Sequence, residues 1–354
     1  MRRRGFLASL IASATLPALS WADAGSPAFL AAAKDVTGAF LLHGLSANGE
    51  PLFALPLPAR GHAATAHPTR PEAVAFARRP GTFALVIDCA RGQPIARLTP
   101  PEGRQFNGHG TFSADGATLY TSEVVAEGSA GRIGLWDAEN HYARIGEWAS
   151  GGIGPHDIKR LPLSDDLIIA NGGIQTDPTD RTKLNIATMR PNLARITPDG
   201  TVAALAELPP ELAQNSLRHL ALLPDGRVAC AAQWEGDPAE TVPLLVLWDQ
   251  DRLIPCPAPE MEGFVMQGYA GSIAYGGGAI ALTSPRGGAV QVFGSDGRFR
   301  ATWRRADACG VASGPSGLLV TDGNGAISRL DDSGLHPERR LNVAWDNHLI
   351  ALGT

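Results

Sequence analysis

The chain is poor in charge, in aromatic residues and in cysteine. Charged residues make up 18% of its 354 positions, aromatic residues 6%, and there are four cysteines. With 44% hydrophobic residues, it is too apolar and too weakly charged for a disordered chain. A net charge of −5 argues against nucleic acid as a partner, because counterion release needs clustered Lys and Arg. Cys89, Cys230, Cys256 and Cys309 form no Cys-x-x-Cys or Cys-x-x-Cys-His motif, so covalent haem is not expected. Cys89 and Cys230 lie in apolar runs and read as buried free thiols, although an even count permits disulfides in an oxidising compartment. Beyond the N-terminus no segment approaches roughly 18 unbroken apolar residues, so the mature chain is not expected to insert into a membrane. Gly151-Gly152-Ile153-Gly154 and Gly276-Gly277-Gly278 open no helix, and no Gly-x-Ser-x-Gly occurs. Neither a nucleotide cofactor nor a serine nucleophile elbow is expected.

Glycine and proline are in excess, with 41 Gly and 27 Pro. Together they are about 19% of the chain against an average near 12%. Spread along the sequence, they disfavour long helices and suit many short strands joined by turns.

Residues 1–24 read as an export signal. Arg2, Arg3 and Arg4 precede an apolar stretch from Phe6 to Leu19, and Ala22-Asp23-Ala24 is a small-x-small cleavage site. Arg3-Arg4-Gly5-Phe6-Leu7 resembles a twin-arginine signal, with Arg2 where Ser or Thr is usual. A periplasmic location follows as an expectation.

A recurring unit runs through the rest. Arg132 to Trp136 ends at Asp137, Ala143 to Trp148 follows, and a Gly-rich loop reaches His156 with a new strand behind it. Asp-Gly and Asn-Gly turns between alternating apolar residues, such as Asp225-Gly226, mark hairpins. Each unit therefore reads as four antiparallel strands. The innermost strands are expected to open at His67, His109, His156, His219, Ser272, Cys309 and His348, at intervals of 37 to 63 residues. Seven such openings predict an all-β, seven-bladed β-propeller. The last unit has one strand, and Gly38 to Leu42 with Pro51 to Leu57 supply outer strands, so the chain ends close the ring. One strand of that blade is left unplaced. The expected division is a signal over 1–24, a linker over 25–36 and a propeller, expected as a monomer, over 37–354. The longest interval holds a polar insertion, Ile174 to Arg190, which reads equally as a cover over a site or as a surface loop.

His67, His109, His156, His219 and His348 share one repeat position and are expected to converge at one mouth of the central channel. His62, shortly before His67, is an alternative ring member. Neutral imidazoles suit Fe, Cu or Zn, and three or four make a competent site. Asp157 and Asp346 are placed to orient ring nitrogens. Asn107 and Arg218 flank ring members, and Arg286 joins them as a ligand-binding candidate.

Several segments together resemble an uncharacterised bacterial family, domain of unknown function 1513. They include His67-Pro68-Thr69-Arg70-Pro71, Gly108-His109-Gly110-Thr111-Phe112-Ser113, Gly152-Ile153-Gly154-Pro155-His156, Ser216-Leu217-Arg218-His219 and Trp345-Asp346-Asn347-His348. The resemblance implies a twin-arginine-exported propeller found beside imelysin-type iron-uptake proteins and di-haem oxidoreductases. It therefore implies periplasmic iron-uptake or redox proteins as partners, and it assigns no reaction or catalytic residue. Three functional readings stand open: a metal-binding accessory protein, a metal-dependent and redox-capable enzyme, and a non-catalytic interaction scaffold.

Overall fold

The computed structural model describes residues 19–78, 81–180, 182–315 and 317–352. Residues 1–18, most of the segment read as an export signal, lie outside the described residues. The described chain forms seven four-stranded antiparallel sheets arranged as the blades of a propeller. Numbered in chain order, blades 1 to 6 have inner strands Gly61–Ala66, Arg104–Phe112, Pro155–Arg160, Asn215–Leu222, Ser272–Gly276 and Ala308–Gly314. Blade 7 combines the two ends of the chain. Its inner strand is Val343–Ala351, followed outward by Phe29–Asp35, Phe40–Leu45 and Pro51–Leu57.

The sequence leaves one strand of blade 7 unplaced, and that strand is Phe29–Asp35. It lies in the segment expected as a linker, which is corrected here: Phe29 and Leu30 are fully buried and residues 29–35 pair with both chain ends. The Ala31-Ala32-Ala33 run has weak strand propensity and does not announce itself. Pairing it with Val343–Ala351 satisfies the backbone edge that an open ring would expose. Trp21 packs beside this closure, and its indole Nε1 donates to the His67 carbonyl at 3.0 Å.

The core sits between neighbouring blades. Alternation along each strand sends successive side chains to opposite neighbours. In Glu72–Ala77, Ala73, Ala75 and Ala77 pack toward blade 7, while Val74 and Phe76 pack toward Phe106, Phe112 and Leu119 of blade 2. Trp136, Trp248 and Trp345 are buried in such seams. All four cysteines are free and buried. Burial pushes the Cys89 thiol up to about 12 and Cys256 to about 11, so these are inert packing groups. Among the described residues no helix is long and apolar enough to cross a membrane.

Candidate metal centre

The inner strands do not run straight. Register shifts interrupt six of them where they face the channel. The shifts fall between Gly61 and Ala64, Phe106 and Gly110, Pro155 and Ile158, Leu217 and His219, Ala308 and Val311, and Trp345 and Leu349. A bulge adds an unpaired residue and re-aims a side chain that strict alternation would send into a blade seam. The bulges of blades 1, 2, 3, 4 and 7 each carry or abut one histidine. Blade 5, the regular exception, pairs without a shift from Ser272 to Gly276 and contributes none.

The five imidazoles are His62, His109, His156, His219 and His348. Neighbouring ring centroids stand 5.0, 4.8, 4.7, 4.6 and 4.7 Å apart around the circuit from His62 through His109, His156, His219 and His348 back to His62. One ring nitrogen each from His109, His219 and His348 fall within 4.8 Å of one another, and so do nitrogens of His62, His109 and His156. His109 belongs to both sets. Gly108 makes room for this convergence. Its φ is +96°, and a Cβ there would stand 2.4 Å from Cδ2 of His62.

Four of the five expected ring members are therefore in place, and His67 is not. It follows the end of its inner strand. Its Nδ1 accepts the backbone N–H of Arg70 at 2.9 Å and of Thr69 at 3.2 Å, and its ring meets Phe112 edge-on at 5.1 Å. His67 fastens blade 1 to blade 2, and His62 takes the ring position. A sequence signal for that choice existed: His62, His109 and His156 are separated by two equal intervals of 47 residues.

Asp157 holds the ring from behind, as expected. Its Oδ1 stands 3.3 Å from His109 Nδ1 and accepts the Ile158 N–H, while Oδ2 accepts the Leu220 N–H of blade 4 at 2.9 Å. Burial favours the neutral acid, but Lys159 at 3.6 Å and His109 outweigh it and hold the carboxyl below the usual range. An ionised Asp157 fixes the His109 proton on Nδ1 and leaves Nε2 as a lone pair. Asp346, expected to do the same, does not. It binds Arg60 through contacts of 2.6 and 3.2 Å and lies 3.6 Å from Arg78. Its carboxylate satisfies two guanidiniums instead of an imidazole.

His156, His219 and His348 have pKa values held well below the ordinary imidazole range, first by burial and then by neighbouring histidines. All three are neutral at neutral pH, which is the form that ligates metals. Buried ring nitrogens His156 Nδ1, His219 Nδ1 and His348 Nε2 find no hydrogen-bond partner among the described residues. His62 Nε2 and His109 Nε2 are 3.2 Å apart. Two nitrogens bound to one tetrahedral ion at about 2.0–2.1 Å stand roughly 3.3 Å apart, so this pair is spaced as two ligands of one Zn, Cu or Fe ion would be. The same spacing suits one N–H···N bond in a metal-free ring.

Above the cluster lies a cavity of about 220 Å³, with His62, His156 and His219 in its lining. Asn107, Arg218 and Arg286, three of the expected ligand-binding residues, also line it. Asn107 is anchored by donating its side-chain N–H to the Pro155 carbonyl of blade 3. Arg286 stacks 4.3 Å over the Tyr269 ring. Arg78 and Lys183 complete the cationic wall beside Tyr269, and none of the three was among the ligand-binding candidates from sequence. Lys183, with Ile174 and Thr176, comes from the polar insertion, which covers the site.

The same propeller fold occurs in hydrazine synthase from Kuenenia stuttgartiensis. That chain superposes with a TM-score of 0.61 at 12% identity, covering 94% of this chain and 99% of its own. At that identity the likeness shows the fold alone. No curated protein matches the chain in sequence. A family model described as protein of unknown function DUF1513 matches residues 55–352. That span takes in all five converging histidines, blades 1 to 6 and the inner strand of blade 7, and the chain belongs to that family.

Proposed function

We propose that this chain is an exported periplasmic protein that holds a transition-metal ion at the five-histidine cluster and serves iron or other metal handling. One observation carries the reading: five imidazoles from five separate blades meet at bulges, with ring nitrogens of two triads within 4.8 Å. A propeller needs no such convergence for stability. Packing five polar rings together is costly unless their nitrogens find partners. Asp157 behind His109 supplies the carboxylate that metal-ligating histidines commonly carry. The basic start and small-x-small site of residues 1–24 support export.

Elemental analysis of protein purified after native export tests the proposal. The expected content is about one equivalent of a single transition metal, as a preformed N-donor site retains it. Content below about a tenth of an equivalent, unchanged in a His109→Ala variant, would sink it.

A second reading, catalysis at the bound metal, is favoured by the cavity that opens onto His62, His156 and His219. Catalytic metal sites keep an open position of this kind. An optical band that shifts when a reductant is added would select redox chemistry. A colourless protein holding Zn alone would exclude it.

A further inference from the structure

We propose that the cavity above the histidines binds a small oxyanion of the carboxylate or phosphate class. The wall is cationic. Arg78, Arg218, Arg286 and Lys183 line it, against one lining carboxylate, Glu235, which pairs with Lys183. Among the described residues Arg78 pairs with the carboxylate of Asp346, which it shares with Arg60. Arg286 has no carboxylate partner among the described residues; it is held over Tyr269 with its hydrogen-bonding edges directed by that stack. A concave site with an excess of guanidinium concentrates anions, and guanidinium forks match carboxylate and phosphate oxygens in pairs.

Size narrows the class. At about 220 Å³ the cavity lies below the pockets of drug-sized ligands. The lining amides of Asn347 and Gln233 offer further donors, while Ile174 is the lone aliphatic side chain in the lining. The site therefore suits a compact, multiply charged ligand over an apolar one. Its floor is the histidine cluster, so an anion seated on the arginines lies beside the metal site. Only this last coupling rests on the metal reading. By linkage, metal and anion should each tighten the binding of the other.

The experiment titrates oxalate, malonate and inorganic phosphate, separately, into the full chain after chelation and into the same chain loaded with Co(II). Heat and the Co(II) optical band are the two readouts. Saturable one-to-one binding to the stripped protein is expected. It should weaken about tenfold or more in Arg286→Gln, an exposed position where a polar replacement is expected to spare the fold. Lys183→Gln provides a second, independent weakening. Stronger binding of the dicarboxylates or of phosphate assigns the ligand class. Tightening by Co(II) with a shifted band confirms the shared floor. Anion binding that survives when Co(II) fails to bind would leave this site standing and remove the metal reading. No saturable binding by any of the three anions, or equal binding in wild type and both variants, overturns the proposal.

Discussion

At the residue scale, histidines of one sequence class do two jobs. His109 is shared by both nitrogen triads and is oriented by Asp157, whereas His67 is tied to its own turn by two backbone N–H groups. Replacing His109 with Ala should therefore remove bound metal, with affinity down by about a hundredfold or more. Replacing His67 with Ala should leave metal content unchanged and cost about 2 kcal/mol of stability, because a buried ring and its acceptor are lost. Metal analysis and denaturant unfolding of the two variants check this. Metal lost from both, or from neither, would contradict the division of roles. The sequence pointed to four of the five ring members because they share a repeat position. It misplaced the fifth because His62 and His67 sit at either end of one short strand, and local pattern does not say which end faces the channel.

At the scale of the element, the inner strand and its bulge decide the site. Strict period-two alternation would send Asp346 and His348, two residues apart, to the same face, so sequence periodicity alone cannot put them in their observed places. The bulges do so, and they leave no compositional mark beyond Gly108. This is also why Asp346 was mistaken for a ring-orienting carboxylate: its direction depends on a register shift between Trp345 and Leu349. A Gly108→Ala substitution tests the element directly. Its positive φ disfavours any Cβ, and the added methyl would strike the His62 ring. The expected outcome is a loss of about 2–3 kcal/mol in unfolding free energy together with weaker metal binding. A variant as stable and as metal-rich as wild type would show that the His62 placement is not enforced by the glycine. The polar insertion illustrates the other limit of sequence reading. Its composition allowed a cover or a bland loop, and only the path of the chain brings Lys183 over the histidines.

At the scale of the whole molecule, the ring is closed by strands that are far apart in sequence, and its seams hold neutral histidines. Burial lowers the pKa of His43 and His67, the latter helped by Arg70. A folded-state value below the unfolded value of about 6.5 means the unfolded chain binds more protons in acid. Stability from these groups is complete above about pH 6.5 and is lost as pH falls below it, at up to about 1.4 kcal/mol per pH unit for each histidine. Chelated protein should therefore melt progressively lower from pH 7 to pH 5, before most carboxylates titrate. A melting temperature that is flat or rises over that window would contradict the buried-neutral assignment. The seven-fold repeat, the closure by both termini and the sevenfold spacing of turns were legible in sequence, because turn chemistry and alternation are local signals. The strand Phe29–Asp35 was not, because its alanines carry no local strand preference and gain their place only from Val343–Ala351.

The central claim is that imidazoles from several blades share one metal ion. X-ray absorption at the edge of the metal retained by the exported protein tests it most directly. The account predicts at least about three imidazole nitrogens near 2.0–2.1 Å, with their outer-ring scattering, and their disappearance in His109→Ala. A first shell of oxygen or sulfur without imidazole scattering, or a spectrum unchanged by His109→Ala, would contradict it.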